Sequence, residues 1–179
     1  MGLLPAPDLA AQPSAAFLAA SRWVLDVAER GQLTTDQGGL TRWGISQNAY
    51  PDEDIVEMTR ARAEAIYLRD FWLPIKGDSF PPIIAFVLFD AAINSGPVQA
   101  IKLLQRALRV EEDGIVGPVT IRAAGIYPHV ESVARFLERR LTFYRELVIS
   151  NPARHGTSLY GWNLRVLRLA LEAGTWRST

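Results

Sequence analysis

The chain predicts an all-α fold. Apolar residues recur at helical spacing through most of its 179 residues, and no run alternates convincingly as a strand. Glycine and proline fall between the periodic segments rather than inside them, which divides the pattern into helices joined by short turns.

Each element follows from its own punctuation. Ser14 is placed to cap a first helix reaching about Arg30, with Phe17, Ala20, Val24, Val27 and Ala28 on one face and Gly31 as its stop. Residues 31–50 hold Gly31, Gly38, Gly39 and Gly44, too many for a helix, and read as a loop with at most a small β-hairpin near 39–46. Thr59 opens a second helix in which Ala61, Ala65, Leu68 and Trp72 repeat, closed by Pro74 and Gly77. Pro82 to Asn94 is apolar nearly all round, the pattern of a central buried helix. Pro97 sits in the first turn of the next, ending near Val110, and Gly117-Pro118 starts a short one. Val130 to Ser150 is long and amphipathic, with Val133, Phe136, Leu137, Leu141, Tyr144 and Leu147 inward, and a last helix covers about Trp162 to Ala173. A soft division near Phe80 separates an N-terminal part, 1–80, from a helical part, 81–179, the two forming one globule.

Composition narrows the function. Nineteen bases balance nineteen acids, so no global field draws the chain to nucleic acid or an anionic membrane. Cysteine is absent and the two histidines, His129 and His155, lie far apart, so no metal centre or thiolate chemistry is expected, and no cofactor. The N-terminus lacks a basic leader and is broken by Pro5, Pro7 and Pro13. The richest apolar run, Pro81 to Ile93, contains Asp90 and is shorter than the roughly 20 residues of a membrane span. The expectation is a monomer without stable membrane insertion or an export signal of its own.

The chemistry concentrates after the first helix. Breaking a glycosidic bond needs a protonated carboxylic acid beside the leaving oxygen, and a second carboxylate serves as nucleophile or positions a water. Glu29 falls in the last turn of its helix, where the negative end of the helix dipole disfavours a carboxylate. Leu25 and Trp43 offer apolar walls. Asp36 is a second carboxylate, Thr41 can orient a water, and Gly38-Gly39 lets backbone pass close to a ligand. Taken alone, Glu29 reads as a solvated helix-end residue; the combination is what points to a lysozyme-type proton donor.

Glu29-Arg30-Gly31, then Asp36-Gln37-Gly38-Gly39-Leu40-Thr41-Arg42-Trp43-Gly44-Ile45-Ser46, followed by Tyr50-Pro51, Ala65-Ile66-Tyr67 and Trp72, resembles the muramidases of glycoside hydrolase family 108. Downstream, Phe89-Asp90, Asn94-Ser95-Gly96, Leu104-Gln105 and Asp113-Gly114 with Gly117-Pro118 and Thr120 resemble the peptidoglycan-binding region that accompanies that catalytic part. The resemblance covers roughly residues 20–170. The family's Glu-Gly-Gly is Glu29-Arg30-Gly31 here, a departure that alters the turn after the acid. The resemblance implies a lysozyme-like helical domain and an endolysin that cleaves the β-1,4 bond between N-acetylmuramic acid and N-acetylglucosamine, with Glu29 as general acid. Assistance from Asp36 and Thr41 is inferred by analogy with phage lysozymes. It further implies peptidoglycan glycan strands as partner, a role in bacterial lysis, and residence in the host cytoplasm until holin-type release. A lytic transglycosylase and a non-catalytic wall-binding or secretion-assisting protein are the competing readings.

Further residues join the candidate site as substrate contacts: Gly39, Trp43, Asn94, Tyr144, Trp162 and Arg165. Aromatic rings stack on sugar faces, while asparagine and arginine bind N-acetyl and lactyl groups. Asp90, one turn before Asn94 on the most apolar helix, is expected in a structural hydrogen-bond network tying that helix to the glycine loop. Asp113-Gly114 reads first as a turn. Arg135, Arg139, Arg140 and Arg145, and later Arg165 and Arg168, give local positive charge that reads as a solvated face able to attract anionic wall polymers.

Overall fold

The computed structural model describes residues 13–36, 39–127 and 129–175, without the side chain of Asp36. Gly38 and the N-terminal residues read above as lacking a leader fall outside these. The architecture is the expected one: helices dominate, with one small antiparallel sheet.

The first helix, α1 (Ala15–Trp23), is capped by Ser14, whose hydroxyl accepts from the Phe17 amide. It runs directly into a π-helical turn, Val24–Glu29, closed by the Arg30 amide on the Leu25 carbonyl at 3.0 Å. That wider turn carries one more residue than an α turn and shifts the face. Leu25 is therefore fully buried, while Val27, expected inward, is 38% exposed. The same device recurs after α2 (Arg60–Tyr67), which passes into a second π turn, Leu68–Trp72. The inward residues there are Ala63, Ile66, Tyr67 and Trp72; the expected Ala61 is exposed.

Three strands fill the glycine-rich stretch, β1 (Thr34–Asp36), β2 (Gly39–Arg42) and β3 (Ile45–Ser46), in the order β1-β2-β3. The register pairs Thr41 with Thr34 on one side and with Ser46 on the other, and sets Asp36 opposite Gly39. The sheet begins earlier than the expected hairpin, because Thr34 and Thr35 extend the ladder upstream of Asp36.

The core is built on α3 (Pro82–Ser95), in which every residue from Ile84 to Ala92 is buried. It packs against α1, α4 (Pro97–Leu108), α6 (His129–Ser150) and α8 (Leu159–Thr175). Two shorter helices, α5 (Pro118–Ile126) and α7 (Pro152–His155), complete the chain. Phe89 anchors an aromatic cluster with edge contacts to Phe17 at 5.8 Å, Trp72 at 5.4 Å and Tyr67 at 6.1 Å. Such pairs contribute about 0.5–1.5 kcal/mol each beyond area burial. They fix α1, α2 and α3 together, and so fix Tyr67 beneath the glycine-rich turn.

Asp113-Gly114 is a turn held by the buried Gln105, which donates to Asp113 Oδ1 at 2.6 Å and to the Ile115 carbonyl at 3.0 Å, and accepts from the Gly114 amide at 2.9 Å. Arg140 departs from the sequence expectation. It is not part of a solvated face but fully buried within α6.

Candidate active site

Glu29 ends the first π turn, and Arg30 follows in the left-handed conformation at φ 55°. The chain reverses there instead of continuing as helix, so the glutamate side chain comes to lie over the next glycine turn. A Cβ at Gly44 would stand 2.7 Å from Glu29 Cδ and 2.5 Å from the Tyr67 hydroxyl. Gly44 adopts φ 74°, which also favours glycine. Tyr67 donates to the Trp43 carbonyl at 2.7 Å, pinning this turn to α2. Burial, with the nearby Glu29 carboxylate adding to it, pushes the Tyr67 phenol well above its ordinary range, so it remains a donor.

Arg165 reaches Glu29 from α8, its Nη1 2.5 Å from Glu29 Oε1. Glu29 Oε2 takes no hydrogen bond among the described residues. The same guanidinium donates through Nε to Asp90 Oδ1 at 2.8 Å, and Arg140 Nη1 donates to Asp90 Oδ2 at 2.6 Å. Burial penalises the Asp90 carboxylate, but Arg165 and Arg140 outweigh it and hold the carboxyl below its usual range. Arg140 Nε donates to the Tyr144 hydroxyl at 2.7 Å, and that hydroxyl bonds Asn94 Oδ1 at 3.4 Å. A continuous relay thus runs from α6 through α3 and α8 to Glu29. Asp90 is structural, as expected, but ties α3 to α6 and α8 rather than to the glycine loop.

The other candidates divide by position. Asn94, Trp162 and Arg165 line one cavity of about 280 Å³, together with Trp23, Val27 and Ala28. Tyr144 is 1% exposed, with its ring stacked on Trp162 at 4.8 Å. It therefore braces the cavity from behind instead of offering a face to a sugar. Trp43 lies against Gly31, its ring 2.4 Å from where a Cβ would be, and donates through Nε1 to the Met58 carbonyl at 3.2 Å. Its ring walls the turn after Glu29. Thr41 is buried in β2, its hydroxyl 3.2 Å from the Gly39 carbonyl, and Gly39 has φ 83°. The backbone of Asp36 stands across from Gly39.

Three contributors were not singled out in the sequence. Arg42 ties the loop together, donating through Nε to the Gly31 carbonyl at 3.3 Å and through Nη1 to the Val56 carbonyl. Tyr67 and Gly44 complete the seat of Glu29. All three stood inside the quoted motifs, yet spacing alone gives no sign that they converge on one carboxylate.

The model of the glycosyl hydrolase 108 family matches residues 29–96, opening on Glu29 itself, and that of a "Predicted Peptidoglycan domain" matches residues 99–167. Residues 29–96 thus carry a glycosyl hydrolase 108 domain, followed in order by a peptidoglycan domain. With these two regions the chain is a glycoside hydrolase acting on peptidoglycan. The SagA structure from Brucella abortus is similar to this hydrolase, at 26% identity over 89% of this chain and 94% of that one, with a TM-score of 0.77. No curated protein matches the chain. The two family regions meet at the joint between α3 and α4. Glu29 belongs to the first and Arg165 to the second, so the hydrolase builds its candidate site from both.

Proposed function

We propose that the hydrolase is an N-acetylmuramidase that cleaves the β-1,4 bond from N-acetylmuramic acid to N-acetylglucosamine, with Glu29 as general acid. The observation that carries this reading is the one-sided hold on Glu29. Arg165 engages Oε1 and leaves Oε2 free to face a leaving oxygen. In the productive complex Oε2 carries the proton, which passes to the glucosamine O4 as the bond from C1 breaks. The carboxylate then gains a full charge, and its bond to Arg165 becomes charge-assisted on both sides. An interaction that strengthens as the reaction proceeds lowers the barrier, whereas one equal in both states does not.

Water completes the reaction at C1. In this reading Asp36 supplies the second carboxylate and Thr41 orients the water, while the left-handed Gly39 lets the strand approach the sugar. Asn94, Trp162 and Arg165 hold the muramic acid unit, through its sugar or the groups it bears, and Trp43 and Tyr144 act by holding the turn and the cavity wall. Cellular lysis is part of the proposal: the enzyme waits inside the host and reaches the wall through a separate membrane lesion. Expression in a bacterial host should then lyse cells only when a pore-forming agent is added.

Mass spectrometry of digested sacculi tests the reaction. The reading expects muropeptides ending in reducing N-acetylmuramic acid. Products ending in 1,6-anhydro-muramic acid would make the enzyme a lytic transglycosylase, and reducing N-acetylglucosamine ends would move the cut to the other bond.

A further inference from the structure

The relay at the site is balanced in charge. Arg140 and Arg165 face Asp90 and Glu29, two cations against two carboxylates. Arg168 is not part of that balance. It lies three residues beyond Arg165 on α8, on the same face, and lines the same cavity. It is exposed and makes no hydrogen bond or ion pair among the described residues. The cavity therefore presents one uncompensated guanidinium beside apolar walls.

Those walls are firm. Trp162 is fixed by its stack on Tyr144, and Val27 is left 38% exposed by the π turn that ends at Glu29. Trp23 and Leu164 close the remaining sides. At about 280 Å³ the cavity stands at the small end of ligand pockets, typically about 300–1,000 Å³. That suits a fragment of one or two residues better than a disaccharide. A neutral sugar also leaves a lone guanidinium without a charge to answer it, whereas an acidic peptide answers it directly.

We propose that this cavity takes the acidic stem peptide of muramic acid, with Arg168 pairing its free carboxylate and Val27 and Trp162 covering its methyl groups. The inference rests on the muramidase reading above. The stem leaves the sugar at O3, two carbons from the anomeric carbon that is cleaved. The cavity borders Ala28 and Arg165, the chain neighbour and the ion-pair partner of Glu29. A peptide hung from the sugar under attack thus has a receptacle beside the acid.

The test compares peptide-bearing glycan strands with strands stripped by an amidase, which retain only the lactyl carboxylate. Wild type should show a kcat/KM about tenfold higher on the peptide-bearing strands, the scale of one charge-assisted hydrogen bond. Arg168→Gln should bring the two substrates within about twofold of each other, and Arg168→Lys should keep part of the preference. Equal wild-type rates on both substrates would overturn the proposal, as would an Arg168→Gln variant slowed equally on both. A second arm is independent of turnover: the free stem tetrapeptide is titrated into Glu29→Gln protein, reading tryptophan fluorescence. Added Arg168→Gln should weaken that binding about tenfold, and unchanged binding overturns the assignment. Peptide binding that depends on Arg168 in a protein that cleaves no glycan would instead defeat the muramidase reading and leave the cavity assignment standing.

Discussion

Replacing Asp90 by asparagine should damage stability and activity together. Asp90 is fully buried, and both of its oxygens are engaged, by Arg140 at 2.6 Å and by Arg165 at 2.8 Å. Asparagine keeps the shape but removes the charge, so two guanidiniums remain in the interior with only Glu29 as counterion. Breaking a buried pair from one side typically costs about 3–5 kcal/mol. For a chain of this size each kcal/mol lowers Tm by about 2–4 °C, which sums to roughly 10 °C. Arg165 also loses one of its two anchors, so its hold on Glu29 loosens and the rate should fall at least about tenfold, a cost of about 1.4 kcal/mol. Circular dichroism melts and reducing-end release from sacculi read the two effects. Asp90→Leu combined with Arg140→Met should recover much of the Tm, since apolar replacements of a buried pair are often neutral, but not the rate. An Asp90→Asn protein melting within about 2 °C of wild type would refute the relay as a source of stability.

Other perturbations test the seat of the acid. Gly44→Ala places a methyl 2.7 Å from Glu29 Cδ at φ 74°, so activity should drop at least about tenfold, with a stability loss of about 1–3 kcal/mol; wild-type rates would mean that the turn yields freely. Arg30→Gly relieves a left-handed arginine at φ 55°, and its melt should rise by about 1–3 °C, while a fall would show that the arginine's own contacts outweigh the strain. The Asp90 carboxyl is depressed in the native state by Arg165 and Arg140 acting against burial. Its stabilisation is therefore present above the unfolded value of about 3.9 and is lost as pH falls through the lower native value. Acid melts should hold a plateau to near pH 4, and Asp90→Asn should flatten the decline below it; an identical decline in both proteins would contradict the assignment.

Much of this arrangement is legible in the sequence. The caps Ser14 and Thr59, and the prolines at the first turns of α3, α4 and α5, mark helix starts because each answers a local backbone need. The burial of α3 follows from its unbroken apolar composition. Two classes of feature escape such reading. The π turns ending at Glu29 and Trp72 leave no compositional mark, yet each adds a residue to its turn and displaces the side chains from there on, which is why Val27 is not inward. Ala61 precedes its π turn and is outward because α2 turns Ala63, Ile66 and Tyr67 to the core. Charge pairing over long separations is equally silent. Arg140 looks like one of several basic residues on an amphipathic helix until α3 brings Asp90, 50 residues away, into its reach. Arg165 was readable as a sugar-binding residue from its aromatic neighbourhood, but its bond to Glu29 spans 136 residues and exists only in the folded chain.

The central claim is that Glu29 supplies the proton. Glu29→Gln preserves the hydrogen-bonding shape at Arg165 and removes the acid. Steady-state release of reducing ends from purified peptidoglycan should then fall by about 10²–10⁴-fold, the usual contribution of a general acid, with the melt little changed. A variant that digests peptidoglycan within a few-fold of wild type would contradict the account.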